Sequence, residues 1–199
     1  MRRPTRSALP ESASQTAGPY VHIGCVPNHA GITGVYPQDL GAQMLDNTTP
    51  GPRITVEGVI YDGTGTPLRD GLVEVWQADA LGTYDGSTPG FTGWARRACD
   101  GVTGLWQIET IKPGQVPFVD GRPMAPHLSL WIVARGVNVG LNTRMYFPDE
   151  PEANKVDPVL SRIEHQNRVP TLLAVQTGPG AYRFDIHLQG PNETVFFDV

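Results

Sequence analysis

Between Arg53 and Tyr61, the residues Ile54, Val56, Gly58 and Ile60 alternate with Arg53, Thr55, Glu57 and Val59, and the row ends in Asp62-Gly63 and Gly65-Thr66-Pro67. A period of two marks a strand with one buried face, because successive side chains of an extended chain point to opposite sides. The Gly- and Pro-containing steps then turn the chain. Further strands are predicted over 71–78, 105–111, 127–135, 141–147, 182–188 and 193–198, each bounded by Gly, Pro or Asp. The 23 Gly and 19 Pro are spread between these segments instead of forming one tract, so they read as turns. Short strands at this spacing predict a mainly β fold: a β-sandwich of mixed topology with long loops and one or two short helices.

Within 182–188 the set Tyr182, Phe184, Ile186, Leu188 alternates with Arg183, Asp185, His187. The second set therefore faces water or a polar interface, with His187 as plain surface. A helix is predicted over 152–163, with Pro151 in its first turn, Glu150 and Glu152 at its positive end, and Pro158 placed to shorten or kink it. A second short helix is expected near 38–45. Trp76, Trp131 and Phe184 occupy strand positions expected to pack in the core, whereas Trp94 and Trp106 receive no assignment.

The 199 residues, 39% of them apolar, suffice for one substantial core, expected over 20–199. Residues 1–19, rich in Pro, Ser and Thr, read as an extended arm that gains order only against something else, such as a partner chain. A net charge of −5, with no basic run beyond Arg2-Arg3 and Arg96-Arg97, gives no electrostatic footprint for nucleic acid and favours a small molecule or a protein as partner. Cys25 and Cys99 belong to no CxxC pair and are expected to be reduced, buried thiols. The first twenty residues hold no apolar run of signal-peptide type, and the longest apolar run, 130–134, is far short of the about 20 residues a membrane span needs. A soluble, cytoplasmic protein is expected.

The segment 56–79, VEGVIYDGTGTPLRDGLVEVWQAD, resembles both the intradiol ring-cleaving dioxygenases and the transthyretin-like sandwich modules that carry no activity. The continuation separates them. WQAD at 76–79, GTY at 82–84, TIKPG at 110–114 and PMAPH at 123–127 resemble, in order, the metal-site segments of intradiol dioxygenases. SQTAGPYVHIG at 14–24, ARG at 134–136, TRMYF at 143–147, YRFDI at 182–186 and the terminal ETVFFD extend the resemblance over about residues 14 to 199. They narrow it to the iron-less α chain of the two-chain members.

In the catalytic chain of that family, Fe(III) is held by two tyrosines and two histidines, whose hard phenolate oxygens and imidazole nitrogens suit a trivalent cation. Carried onto this sequence, the resemblance places the four positions at Tyr84, Val116, His127 and Ser129. Valine has no ligating atom, and a neutral serine hydroxyl is a poor substitute for imidazole. The implied chain holds no metal itself, and Fe(III) in the complex belongs to a homologous β chain. Tyr84 and His127 then serve ordinary buried hydrogen bonds, or line a vestigial pocket that takes an anion or water.

Read from the residues alone, Thr16, Gly18, Pro19 and Tyr20 form an arm-to-core junction, or a loop whose hydroxyls and close backbone approach suit a ligand. Arg135, ending an apolar strand, reads as a surface arginine paired with an acid or as a guanidinium placed to receive a carboxylate. The resemblance implies that these five residues line the substrate pocket of the partner chain, with Arg135 facing the carboxylate of 3,4-dihydroxybenzoate. It implies no catalytic residue in this chain alone. The implied reaction cleaves the bond between the two hydroxyl-bearing carbons and delivers both atoms of O2 into 3-carboxy-cis,cis-muconate, within a higher oligomer of α/β pairs. Two other classes stay open: a metal-free binding or structural sandwich module, and a self-sufficient iron enzyme that recruits Tyr61, Tyr146 or His187.

Overall fold

In a computed structural model, which describes residues 15–18 and 20–198, two sheets face each other across an apolar core. The first element of the described residues is a short helix α1 (Tyr20–Cys25), followed by β1 (Arg53–Tyr61), β2 (Leu72–Trp76), β3 (Trp94–Ala98) and β4 (Leu105–Ile111). A two-stranded ribbon, β5 (Val116–Pro117) and β6 (Pro123–Met124), leads to β7 (His127–Val133) and β8 (Leu141–Tyr146). Helix α2 (Pro151–Val156) and 3-10 turns at Leu160–Arg162 and Gln166–Leu172 precede β9 (Val175–Gly178), β10 (Ala181–Arg183) and β11 (Ile186–His187).

One sheet has the order β3-β2-β7-β8, antiparallel throughout. In the other, β1 pairs antiparallel with β4 along one edge and parallel with β10 and β11 along the other, with β9 beyond β10. Topology is therefore mixed, as the sequence predicts. Inward residues Val73, Val75, Leu128, Leu130, Ile132 and Met145 meet Val56, Ile60, Trp106, Ile108, Phe184 and Ile186 from the opposite sheet. Burial of apolar side chains at these alternating positions holds the layers together.

Strand β1 has the expected bounds, and its burial alternates as expected from Arg53 to Gly58, after which Val59, expected on the outer face, is buried as well. The expected strand 182–188 is broken instead into β10 and β11. There the Asp185 carboxylate accepts the Val59 backbone N–H at 2.9 Å, taking a place in the ladder that a backbone carbonyl would otherwise fill. Gly58 permits this close crossing, since a Cβ at that position would lie 1.9 Å from the Phe184 carbonyl oxygen. Residues 193–198 form no strand: Val195 gives its carbonyl to Thr143 Oγ1 and its N–H to Thr171 Oγ1, leaving one isolated bridge between Phe197 and Asn142.

The helix expected over 152–163 stops at Val156, because Asp157 precedes Pro158 and adopts an extended conformation (φ −60°, ψ 125°). No helix forms over 38–45. Met44 is drawn into the core there and Leu45 bridges to Phe91. Strand β3 escaped the sequence reading, since WARRA lacks apolar alternation. It is an edge strand held by Arg96 on Glu74 and by Arg97 on the carbonyls of Gly41 and Ala42.

Two of the three expected core aromatics are corrected. Phe184 is buried, but Trp76 is 51% and Trp131 38% exposed, because strand parity puts them on the outer face of the β3-β2-β7-β8 sheet with Glu74 and Ser129. Trp106, left unassigned, is the large indole of the core. Cys99 is buried, and burial pushes its thiol up to about 12, whereas Cys25 is only half-buried. His187 is half-buried and stacks on Tyr61 with ring centroids 5.1 Å apart. No helix among the described residues is long and apolar enough to cross a membrane.

Candidate functional site: two ends of one strand

His127 begins β7 with its ring in the protein interior, 3% exposed. Its Nδ1 donates to the Ala125 carbonyl at 2.7 Å, and its ring lies 5.6 Å from that of Tyr146. Burial lowers its pKa to about 4, helped by the positive charge of Arg144. The folded chain thus refuses a proton at His127 that the unfolded chain accepts below about pH 6.5. Stability is complete above that value, falls as pH drops toward about 4, and levels off below, a loss of about 3 kcal/mol. Urea unfolding at about pH 7.5 and about pH 4.5 checks this: His127→Gln is expected to flatten the difference between the two.

Tyr84 lies in the loop after β2, 46% exposed, and stacks parallel on Trp76 at 6.3 Å. Asp79 knots that loop by accepting the N–H groups of Leu81 and Thr83 and the hydroxyls of Thr83 and Thr88. Burial raises the Tyr84 phenol, and the charge of Arg144 offsets part of the rise. Val116 on β5 is packed with Ala78 and Met124, and Ser129 shares the β7 face of His127 two residues on. Arg144 on β8 pairs in register with Ser129 and directs its guanidinium to the Met124 sulfur and the Tyr146 hydroxyl, each at 3.4 Å. The four positions therefore supply one phenol and one imidazole, with a fixed cation beside them. That donor set does not fit a ferric ion.

Tyr146 is buried between His127, Arg144 and Asp157, while Tyr61 and His187 stack together in the other sheet. Tyr61 and His187 do not gather around His127. Among the described residues, no group of three or more His, Cys, Asp or Glu is placed to hold a metal.

A second cluster forms at the other end of β7. The Thr16 hydroxyl accepts the Gly136 N–H at 2.8 Å and donates to the Ala134 carbonyl at 3.4 Å, docking the arm on the Arg135 turn. Ala17, Gly18, Val21, His22, Asp70 and Arg135 border a cleft of about 210 Å³. Arg135 Nε donates to Asp70 at 2.9 Å while its side chain stays 72% exposed. Thr16, Gly18 and Arg135 are thus brought together. Tyr20, 76% exposed at the start of α1, stands beside the cleft without lining it, and Pro19 lies outside the described residues. Along β7 the rise of about 3.3 Å per residue separates His127 from Val133 by about 20 Å.

Sequence reasoning passed over Arg144 and the outer aromatic face. The signal was present: in TRMYF, Thr143 and Met145 point inward, which sends Arg144 outward beside Ser129.

The family model described as Dioxygenase matches residues 31–190. The protocatechuate 3,4-dioxygenase alpha chain of Pseudomonas putida is 45% identical over 196 residues, covering 96% of this chain and 97% of that one. The chain belongs to the intradiol dioxygenase family. A second member, the protocatechuate 3,4-dioxygenase beta chain of Burkholderia cepacia, is 33% identical over 81% of this chain and 75% of its own length. Among solved structures, the dioxygenase domain of a dioxygenase carbohydrate-binding protein fusion from Streptomyces sp. SirexAA-E superposes with a TM-score of 0.58 at 28% identity, covering 82% of this chain and 96% of that chain. Intradiol dioxygenases depend on non-haem iron.

Proposed function

We propose that this chain is the α subunit of a protocatechuate 3,4-dioxygenase, which completes the substrate pocket of a homologous β subunit that holds Fe(III). One observation carries the reading. The arm and Arg135 gather about 20 Å from His127 along β7, so they cannot serve a metal locus in their own chain and are free to serve one in a partner.

Fe(III) held by the partner chain would supply a Lewis-acidic site for the catechol oxygens. The residues of this chain bind and orient. Arg135, extended into solvent from a turn pinned by Thr16, presents a forked donor to the carboxylate of 3,4-dihydroxybenzoate, and Asp70 holds its Nε while leaving the outer nitrogens available. Gly18 lines the adjoining cleft, and Tyr20 stands exposed beside it. Cleavage of the bond between the hydroxyl-bearing carbons, with both atoms of one O2 entering the product, would yield 3-carboxy-cis,cis-muconate.

A partner surface is also available. Trp76, Tyr84 and Trp131 are exposed on the outer sheet face, and Tyr20, Ile23, Ile32, Val35, Tyr36 and Leu40 add exposed apolar side chains from one stretch of chain. Exposed aromatic patches of this kind suit a permanent subunit contact. Pairs of this type assemble into closed hetero-oligomers. We place the enzyme in the cytoplasm, where Cys25 and Cys99 stay reduced.

Co-expression with a homologous iron-bearing chain tests the reading. The two are expected to elute together and to consume O2 with 3,4-dihydroxybenzoate, while this chain alone is inactive. A partner fully active without this chain, together with elution of this chain as a monomer, would point to the metal-free binding module instead.

A further inference from the structure

A cavity of about 760 Å³ opens between β8, the segment 159–164 and the C-terminal segment 195–198. That volume suits a small organic molecule. Its floor is polar, formed by Ser129, Asn142 and Arg144 on the outer sheet face, and its walls are apolar, with Phe118, Ile163 and Phe197 prominent.

Arg144 decides what the cavity accepts. Among the described residues, four other half-buried arginines are satisfied: Arg96, Arg168 and Arg183 pair with carboxylates, and Arg97 donates to the carbonyls of Gly41, Ala42 and Gln107. Arg144, among the described residues, has only a thioether and a phenol at 3.4 Å, with no carboxylate or carbonyl partner. A half-buried guanidinium with unused donors favours an anion. Arg162 adds a second positive charge at the wall, its guanidinium 4.7 Å from the centroid of the Phe118 ring and in no ion pair among the described residues. Glu164 and Asp198 also border the cavity, but both are exposed, and neither forms an ion pair with Arg144 or Arg162. Water and salt screen them.

We propose that this cavity binds a small aromatic carboxylate, with the carboxylate on Arg144 and the ring against Phe118, Ile163 and Phe197. The planar fork of Arg144 matches a carboxylate, the aromatic and branched walls match a flat ring, and Ser129 and Asn142 face ring substituents. Of the four positions set against the family's metal ligands, Ser129 lies on the floor of this metal-free ligand site. Binding requires neither iron nor a partner, so it stands or fails separately from the assignment of a shared active site.

Fluorine NMR of 4-fluorobenzoate titrated into the full chain tests this. Saturable binding is expected, weakened about ten- to hundredfold by Arg144→Gln. Arg162→Ala, at an exposed position that leaves the fold intact, is expected to weaken it about threefold or more. Inorganic phosphate and 4-fluorobenzyl alcohol are expected to compete poorly, one lacking the ring and the other the charge. Three outcomes would overturn the proposal: no saturable binding by wild-type chain whose circular dichroism shows it folded, unchanged affinity in both variants, or displacement by phosphate at equal concentration.

Discussion

Asp157→Ala is expected to lower the stability of the chain by about 3–5 kcal/mol. The carboxylate is fully buried and accepts the backbone N–H groups of Ala125 at 2.8 Å, Val159 at 2.7 Å and Leu160 at 2.8 Å, with the Tyr146 hydroxyl at 3.4 Å. It ties the start of β7 to the turn that follows α2. Truncation leaves several buried donors without a partner, and each orphaned donor costs about 1–3 kcal/mol. Asp157→Asn keeps one accepting oxygen but sets an NH2 against another donor, so an intermediate loss is expected. Urea unfolding measures both, and a loss under about 1 kcal/mol for the alanine variant would contradict this role.

Arg135→Ala in the assembled enzyme is expected to lower kcat/KM for 3,4-dihydroxybenzoate by about ten- to hundredfold, the equivalent of one or two charge-assisted hydrogen bonds. Stability should barely change, because the Arg135 side chain is largely exposed and its pairing with Asp70 is a surface ion pair. The loss should fall mainly on KM, since the carboxylate lies away from the reacting carbons. Catechol, which has no carboxylate, should be turned over equally by wild type and variant. An equal loss with both substrates would mean that Arg135 supports the fold or the interface and does not receive the carboxylate.

Strands whose buried and exposed residues alternate were legible in the sequence. β1 and β4 have the expected bounds, and β2, β7 and β8 differ only at their ends. The edge strand β3 was not legible. Arg96 and Arg97 give β3 a polar outline because its stability comes from ion pairs and carbonyls contributed by distant loops. The break between β10 and β11 was hidden for a similar reason: Asp185 looks like any outward polar residue until Val59 is seen to donate to it.

At the site, Thr16 docks beside Arg135 and Val116 is buried among apolar side chains. Arg144 was missed because its meaning depends on Ser129 and Met124, neighbours that only sheet pairing and packing bring to it. Trp76 and Trp131 were misplaced because a large aromatic residue on a strand suggests the core. Strand parity with Glu74 and Ser129 already placed them outside.

Iron content and visible absorption, measured on this chain alone and on its complex with the homologous chain, bear most directly on where the metal resides. A colourless, iron-free lone chain is expected, with tyrosinate-type colour appearing only in the complex and surviving Tyr84→Phe in this chain. Iron bound by the lone chain and lost on Tyr84→Phe or His127→Gln would contradict the assignment of Fe(III) to the partner.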